Sequence, residues 1–371
     1  MLDIDGAVEA TAPDEGIAAH YGDPAREQRA LAAARPGAGA QSGEGGPVLV
    51  DRSNRGVVRI TGPDRLTWLH SLTSQHLERL VPGTTTQALV LNPQGHIEHH
   101  LTLTDDGGTT WAHVEPGTAP ALAGYLDSMR FMMRVEVTDM TPELGVLTVI
   151  GPGRASQAKT VQDPIQPNGS LLPEAVQAVA AAVTEDPFGI SALVPRDRIA
   201  SLVAELGRPV AGIWGYEAAR IAAHLPRPGL DTDHRTLPHE VGLIGAAVHL
   251  DKGCYRGQET VARIHNLGHP PRRLVFLHLD GSADRLPAHG APVTTSDGTT
   301  VGFAGSSARH YELGPIGLGL IKRSVAVDAT LLADGIAAAQ EVIVPPDAGA
   351  KVKVAPRREF LPPPPASRKL L

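Results

Sequence analysis

The chain has 371 residues, 42% hydrophobic and 20% charged, with a formal net charge of −7. That composition excludes a disordered chain, and the acidic balance argues against a general grip on nucleic acid or on an anionic membrane. The length suits two or three domains, and no apolar run approaches the roughly 20 residues of a membrane span.

The first stretch, 1–46, is expected to be a flexible extension with one short helix at PAREQRALAAAR (Pro24 to Arg35) and a linker-like PGAGAQSGEGG after it. A first α+β module is expected over 47–144. In it VLVDRSNRGVVRITG reads as paired strands, and a helix opens at Pro63-Asp64. ALVLNPQGHIEHHLTLTDDGG reads as a hairpin turning at Asn92-Pro93-Gln94-Gly95. A strand (TTWAHVEP), a helix (Pro120 to Met132) and a strand (MRVEVTDM) follow. A second α+β module, 145–270, begins with the strand LGVLTVIGPG. It continues with a helix over Pro173 to Thr184, a strand at ISALVPRD, a helix over Arg198 to Gly207 and a helix in GIWGYEAARIAAHLP. Short strands and glycine turns over 271–346 predict a small β-barrel, and 347–371 is expected to be a flexible tail. The whole is an α+β fold.

The single cysteine, Cys254, excludes an intrachain disulfide and a cysteine-built structural zinc site. It suits a reducing compartment, and the acidic N-terminus is unlike a basic-then-apolar export signal, so a cytoplasmic protein is expected. The thiol sits in DKGCYRGQETVARIHNLG, Asp251 to Gly268, the stretch richest in chemistry. An extended backbone puts Lys252, Cys254 and Arg256 on one face. An ammonium about 6.5 Å from a thiolate contributes about 0.6 kcal/mol in water and about 2.5 kcal/mol at an effective dielectric of 20. Only the buried case makes thiolate dominant at neutral pH. The same residues equally fit a small buried core cysteine, and Gln258 and Glu259 fit ordinary surface or capping groups; the pattern leaves both readings open.

KGCYRGQE resembles the K-G-C-Y-x-G-Q-E signature of the YgfZ folate-binding family, and the flanking TVAR fits it too. The wider glycine-cleavage T-protein pattern is visible in GPDRLTWLHSLTSQHLERLVPG, LNPQGHIEHHLTL, ARIAAHLPRPGLDTDHRTLPHEVGL and VGFAGSSARHYELGPIGLGLIKR. The resemblance covers most of the chain between its two ends. It implies a T-protein-like fold, with ferredoxin-like α+β modules around a central cavity plus a C-terminal β-barrel. It also implies tetrahydrofolate as ligand, and support of iron–sulfur proteins or their assembly factors, including an enzyme that thiolates tRNA. The working residues it implies are Cys254 and Lys252, with folate contacts at Arg220, Tyr255, Gln258, Glu259 and Gln94. No metal ligand is expected. For Arg220, a match to folate's carboxylate tail and a plain ion pair stand side by side.

The chain departs from the aminomethyltransferase pattern at three places. The acidic pair of G-G-I-x-D-D-L is replaced by His99 and His100, the glutamate of R-x-E-A-G by Ala222, and N-A-G by Glu115-Pro116-Gly117. An alanine cannot accept the hydrogen bonds of a pterin's N–H groups, and without the carboxylate the transfer reaction loses its electrostatic support. A folate-dependent one-carbon transferase is therefore the alternative expectation. His99 and His100 point to opposite strand faces, which argues against a metal cluster with His96.

Overall fold

The computed structural model describes residues 1–35, 46–151 and 172–349. The linker after Arg35 and the proline-rich end lie outside them. The N-terminal extension is packed, contrary to expectation. Strands β1 (Val8–Glu9) and β2 (Ala18–His20) pair antiparallel, and helix α1 (Pro24–Ala34) follows, capped by the Asp23 carboxylate at 2.9 Å from Arg26 N–H. The extension holds together because Ile17, Ala19, Leu31 and Ala34 are apolar and bury themselves against later elements.

Next come β3 (Val48–Asp51), β4 (Gly56–Thr61), α2 (Arg65–Leu72), β5 (Thr85–Leu91), β6 (Ile97–Asp105), β7 (Thr109–Val114), α3 (Ala119–Ser128) and β8 (Glu136–Asp139). β9 (Leu144–Ile150), α4 (Glu174–Gln177), β10 (Ala182–Asp186), β11 (Gly189–Pro195), α5 (Ile199–Leu206), β12 (Val210–Ala211) and α6 (Ile213–Ala222) continue the chain. One sheet runs β5-β6-β7-β4-β8 and a second β10-β11-β9-β3-β12, the latter ending in a parallel β12–β3 pair. Helix α7 (Gln258–Leu267) leads into the strands β13 (Arg272–Leu279), β14 (Pro292–Thr295), β15 (Thr300–His310), β16 (Gly314–Lys322), β17 (Leu331–Ala333) and β18 (Ile336–Val342). These close as a barrel in the order β13-β16-β15-β14-β17-β18, as expected. Among the described residues no helix is long and apolar enough to cross a membrane.

Two local readings are corrected. β3 and β4 do not pair with each other: β3 lies between β9 and β12, and β4 between β7 and β8. The first module thus lends its opening strand to the second sheet, so a boundary at 144/145 divides the sequence but not the sheets. The helix expected over 173–184 is only the single turn α4. The chain then becomes β10, because Ala182 to Asp186 pair with Gly189 to Leu193 across a tight hairpin, and sheet pairing overrides the helix preference of an alanine-rich run.

Charged side chains fill the junction of the two sheets, the extension and the barrel. Arg227 donates to Asp14 at 2.7 and 2.8 Å and to Glu115 at 2.6 Å. Arg55 holds Glu115 at 2.8 Å and His113 at 2.9 Å, and Arg52 holds Asp186 at 2.6 Å. The flanking arginines keep the Glu115 carboxyl well below its ordinary range despite burial. Removing one partner from such a buried set leaves charges uncompensated. Arg227→Met should therefore cost about 3–5 kcal/mol by urea unfolding. Arg263→Met, which breaks the exposed pair with Glu259, should cost under about 1 kcal/mol.

Candidate functional site around Cys254

The segment from Lys252 to α7 is a turn held from below. Lys252 is buried, and its ammonium donates to the carbonyl oxygens of His70 and of Thr73 (2.5 Å to the latter) at the C-terminal end of α2. Those carbonyls lie where a helix leaves its acceptors unsatisfied, so the lysine meets a need of α2 while anchoring its own loop. The ammonium also sits 4.7 Å from the centroid of the Tyr255 ring. Burial lowers the Lys252 pKa to about 8, while the carbonyls it faces favour the charged form.

Tyr255 is buried in the apolar cluster that joins Leu89, Leu91 and Ile97 of the first hairpin to Leu274, Phe276 and Ile316 of the barrel. Arg256 reaches back to the same hairpin, donating to Glu98 at 3.0 Å. Gly257 turns the chain into α7 at φ +83°, where an added Cβ would lie 2.5 Å from the Asn92 carbonyl oxygen and 2.9 Å from Gly95 Cα. The Gln258 side-chain amide donates to the Lys252 carbonyl at 3.3 Å and closes the turn. Cys254, between these anchors, is exposed.

The expectation that Lys252, Cys254 and Arg256 share one face is corrected. Lys252 turns inward and the thiol outward, because an ammonium with carbonyl partners gains more inside than beside a thiol at the surface. Of the residues expected to contact folate, Tyr255 and Gln258 build the turn itself. Glu259 is exposed and pairs with Arg263, and Gln94 is exposed at the tip of the neighbouring turn. Arg220 lies elsewhere. Its Nε donates to Glu217, its Nη1 to Asp231 at 2.9 Å and to the Leu225 carbonyl at 2.5 Å, and its Nη2 to Glu217 and Ser306. Every nitrogen of the fork is engaged, so of its two readings the ion pair accounts for the whole guanidinium.

At the hairpin, His100 bonds Gln87 at 2.8 Å, and burial lowers its pKa to about 4. Burial lowers His99 also, and its buried Nδ1 has no hydrogen-bond partner. An imidazole is neutral or cationic, so neither ring supplies the negative charge of the acids they replace.

An open cleft of about 190 Å³ is lined by Gln28, Ala32 and Arg35 of the extension, by Ala219 and Ala222 of α6, and by His310 at the end of β15 and Tyr311 just after it. Sequence reading missed Arg35. It stacks on Phe188 at 4.1 Å, and its buried Nε has no hydrogen-bond partner. An amide, a guanidinium and a phenol are group types that suit a pterin with a carboxylate tail. The volume, however, is below the roughly 300 Å³ at which small-molecule sites begin.

Comparison with known proteins agrees with this architecture. Residues 44–167 match the GCVT N-terminal domain family. A glycine cleavage system aminomethyltransferase T from Bartonella henselae has the same fold, with a TM-score of 0.71 over 93% of this chain and 95% of that one at 18% identity. An aminomethyltransferase of Nostoc sp. is 28% identical over 298 residues, 75% of this chain and 77% of that protein. The mitochondrial iron-sulfur cluster assembly factor IBA57 of Mus musculus is 26% identical over 289 residues, 72% of this chain and 75% of its own. The chain has the T-protein fold, and its similarities support a place in the T-protein superfamily.

Two outcomes test the local physics. Gly257→Ala should destabilise the protein by about 1–3 kcal/mol in urea unfolding, because its φ and the Asn92 carbonyl both oppose a side chain. His100 binds its proton less readily folded than unfolded, so between pH 6.5 and about 4 the unfolded chain carries more protons and stability falls as pH falls. Comparing unfolding midpoints at pH 7 and pH 5, wild type should lose more than His100→Gln.

Proposed function

We propose that the protein is a factor supporting iron–sulfur cluster assembly or repair, with tetrahydrofolate as its ligand and Cys254 as its working group. The observation that carries this reading is a division of labour in one turn: Lys252, Tyr255, Arg256, Gly257 and Gln258 are all used to hold it, and the Cys254 thiol among them is displayed to solvent. A rigidly presented thiol is suited to receiving or passing a soft ligand, since thiolates favour iron–sulfur chemistry over hard cations. The named role of the IBA57 relative and the YgfZ-like signature support the same direction. The clients would include a tRNA-thiolating enzyme, and the setting would be the cytoplasm.

The second reading, a folate-dependent one-carbon transferase, is favoured by the aminomethyltransferase relatives. The neutral His100 and the methyl group of Ala222 stand against it, since neither supplies the charge that reaction needs. Calorimetric titration with tetrahydrofolate should show binding by both wild type and Cys254→Ser. In a deletion strain Cys254→Ser should fail to restore iron–sulfur enzyme activity. Absence of folate binding removes the ligand from the reading, and full rescue by Cys254→Ser removes the thiol.

A further inference from the structure

Below the displayed cysteine lies a second constellation that the folate and thiol readings do not use. α2 ends at Leu72, and the chain after it doubles back so that His70, in the last turn, meets His76 and Glu78. One ligating atom from each of the three lies within 4.8 Å of the other two. The His70 and His76 rings stand edge to face with centroids 4.7 Å apart. A third imidazole, His249, lies 5.4 Å behind His76, and its buried Nδ1 has no hydrogen-bond partner. The two histidines are half-buried and Glu78 is exposed, so the group opens to solvent on its carboxylate side.

We propose that His70, His76 and Glu78 form a solvent-open site for a first-row divalent metal, Fe(II) or Zn(II) in class. Two imidazoles and one carboxylate with open positions are the donor set of non-haem iron and of catalytic zinc sites. Ligand atoms on one tetrahedral metal lie about 3.4 Å apart for bonds of about 2.1 Å, so the set must close by an ångström or so, and the exposed Glu78 side chain can supply that movement. Ligation gives up one long hydrogen bond. The Leu77 N–H donates to His70 Nδ1 at 3.3 Å, and a neutral ring has a single lone pair, so the bond is lost whichever nitrogen binds. The Lys252 ammonium opposes a nearby cation, but its donors already face the carbonyls of His70 and Thr73.

The position adds meaning. A Cβ on Gly253 would stand 3.9 Å from His70 Nε2, and Cys254 is the next residue. The site therefore offers a metal one residue from the only thiol in the chain. It rests on its own residues and not on folate, so its failure and that of the folate reading are separable.

The test titrates the full-length, chelator-stripped protein with Co(II), followed by calorimetry and by the ligand-field absorption of the bound ion. Wild type and His278→Ala, a histidine on β13, should bind one equivalent. His76→Ala and Glu78→Gln should each weaken binding at least tenfold, about 1.4 kcal/mol, with unchanged far-UV circular dichroism. Glu78 is exposed, so its variant is not expected to disturb folding. No Co(II) binding by wild type, or equal binding by both variants, overturns the proposal. So does loss of binding in Cys254→Ser with retention in His76→Ala, which would move the metal to the thiol.

Discussion

The buried ammonium of Lys252 is the contact from which the rest of the site follows. A lysine removed from water without partners costs several kcal/mol, so it must find acceptors. It finds them in the carbonyls that close α2, which the helix itself cannot satisfy. The loop from the second module and the helix of the first are thereby fixed to each other through main-chain atoms. With Lys252 committed inward, the turn breaks the alternation of a strand: Cys254 faces outward while Tyr255 returns to the core shared by hairpin and barrel. Exposure of the thiol is thus a product of tight packing and not of a loose loop.

The arginine network does for the modules what Lys252 does for the turn. Arg52, Arg55, Arg220 and Arg227 meet Asp14, Glu115, Asp186, Glu217 and Asp231 where the two sheets, the extension and the barrel converge. Arginine suits the task because its planar fork satisfies two acceptors at once and stays charged when buried. Asp14 belongs to the N-terminal extension, so the extension enters the junction and is no appendage. The same docking brings Gln28 and Arg35 to the cleft beside Ala222.

Much of this was legible. Strand alternation, the Asn92–Gly95 turn and the glycine-rich barrel are local signals that the fold respects, and KGCYRGQE falls in the turn that exposes Cys254. What failed depended on partners far along the chain. β3 and β4 read as a pair because they are adjacent and β-branched, yet each finds a different sheet. The alanine-rich run after Pro173 favours helix on its own and becomes a strand only because β11 lies beside it. Period two placed Lys252 with Cys254, but the pull of the α2 carbonyls on the ammonium is invisible without α2. His70, His76 and Glu78 have the even spacing of one strand face, but they lie in a helix end and the loop after it, where that period has no meaning. Only the reversal after Leu72 brings them together.

The residues of the hairpin and of α6 and the displayed thiol bear on the same chemistry. A site that stabilises a developing iminium-like charge needs a fixed carboxylate in a poorly solvated place. Here that place holds a ring kept neutral by burial, and α6 offers a methyl group where an acceptor would stand. His99, His100 and Ala222 thus leave those positions without a carboxylate, whereas Cys254 stands exposed on a turn held by five of its neighbours. A thiol displayed in that way suits soft ligands better than hard cations.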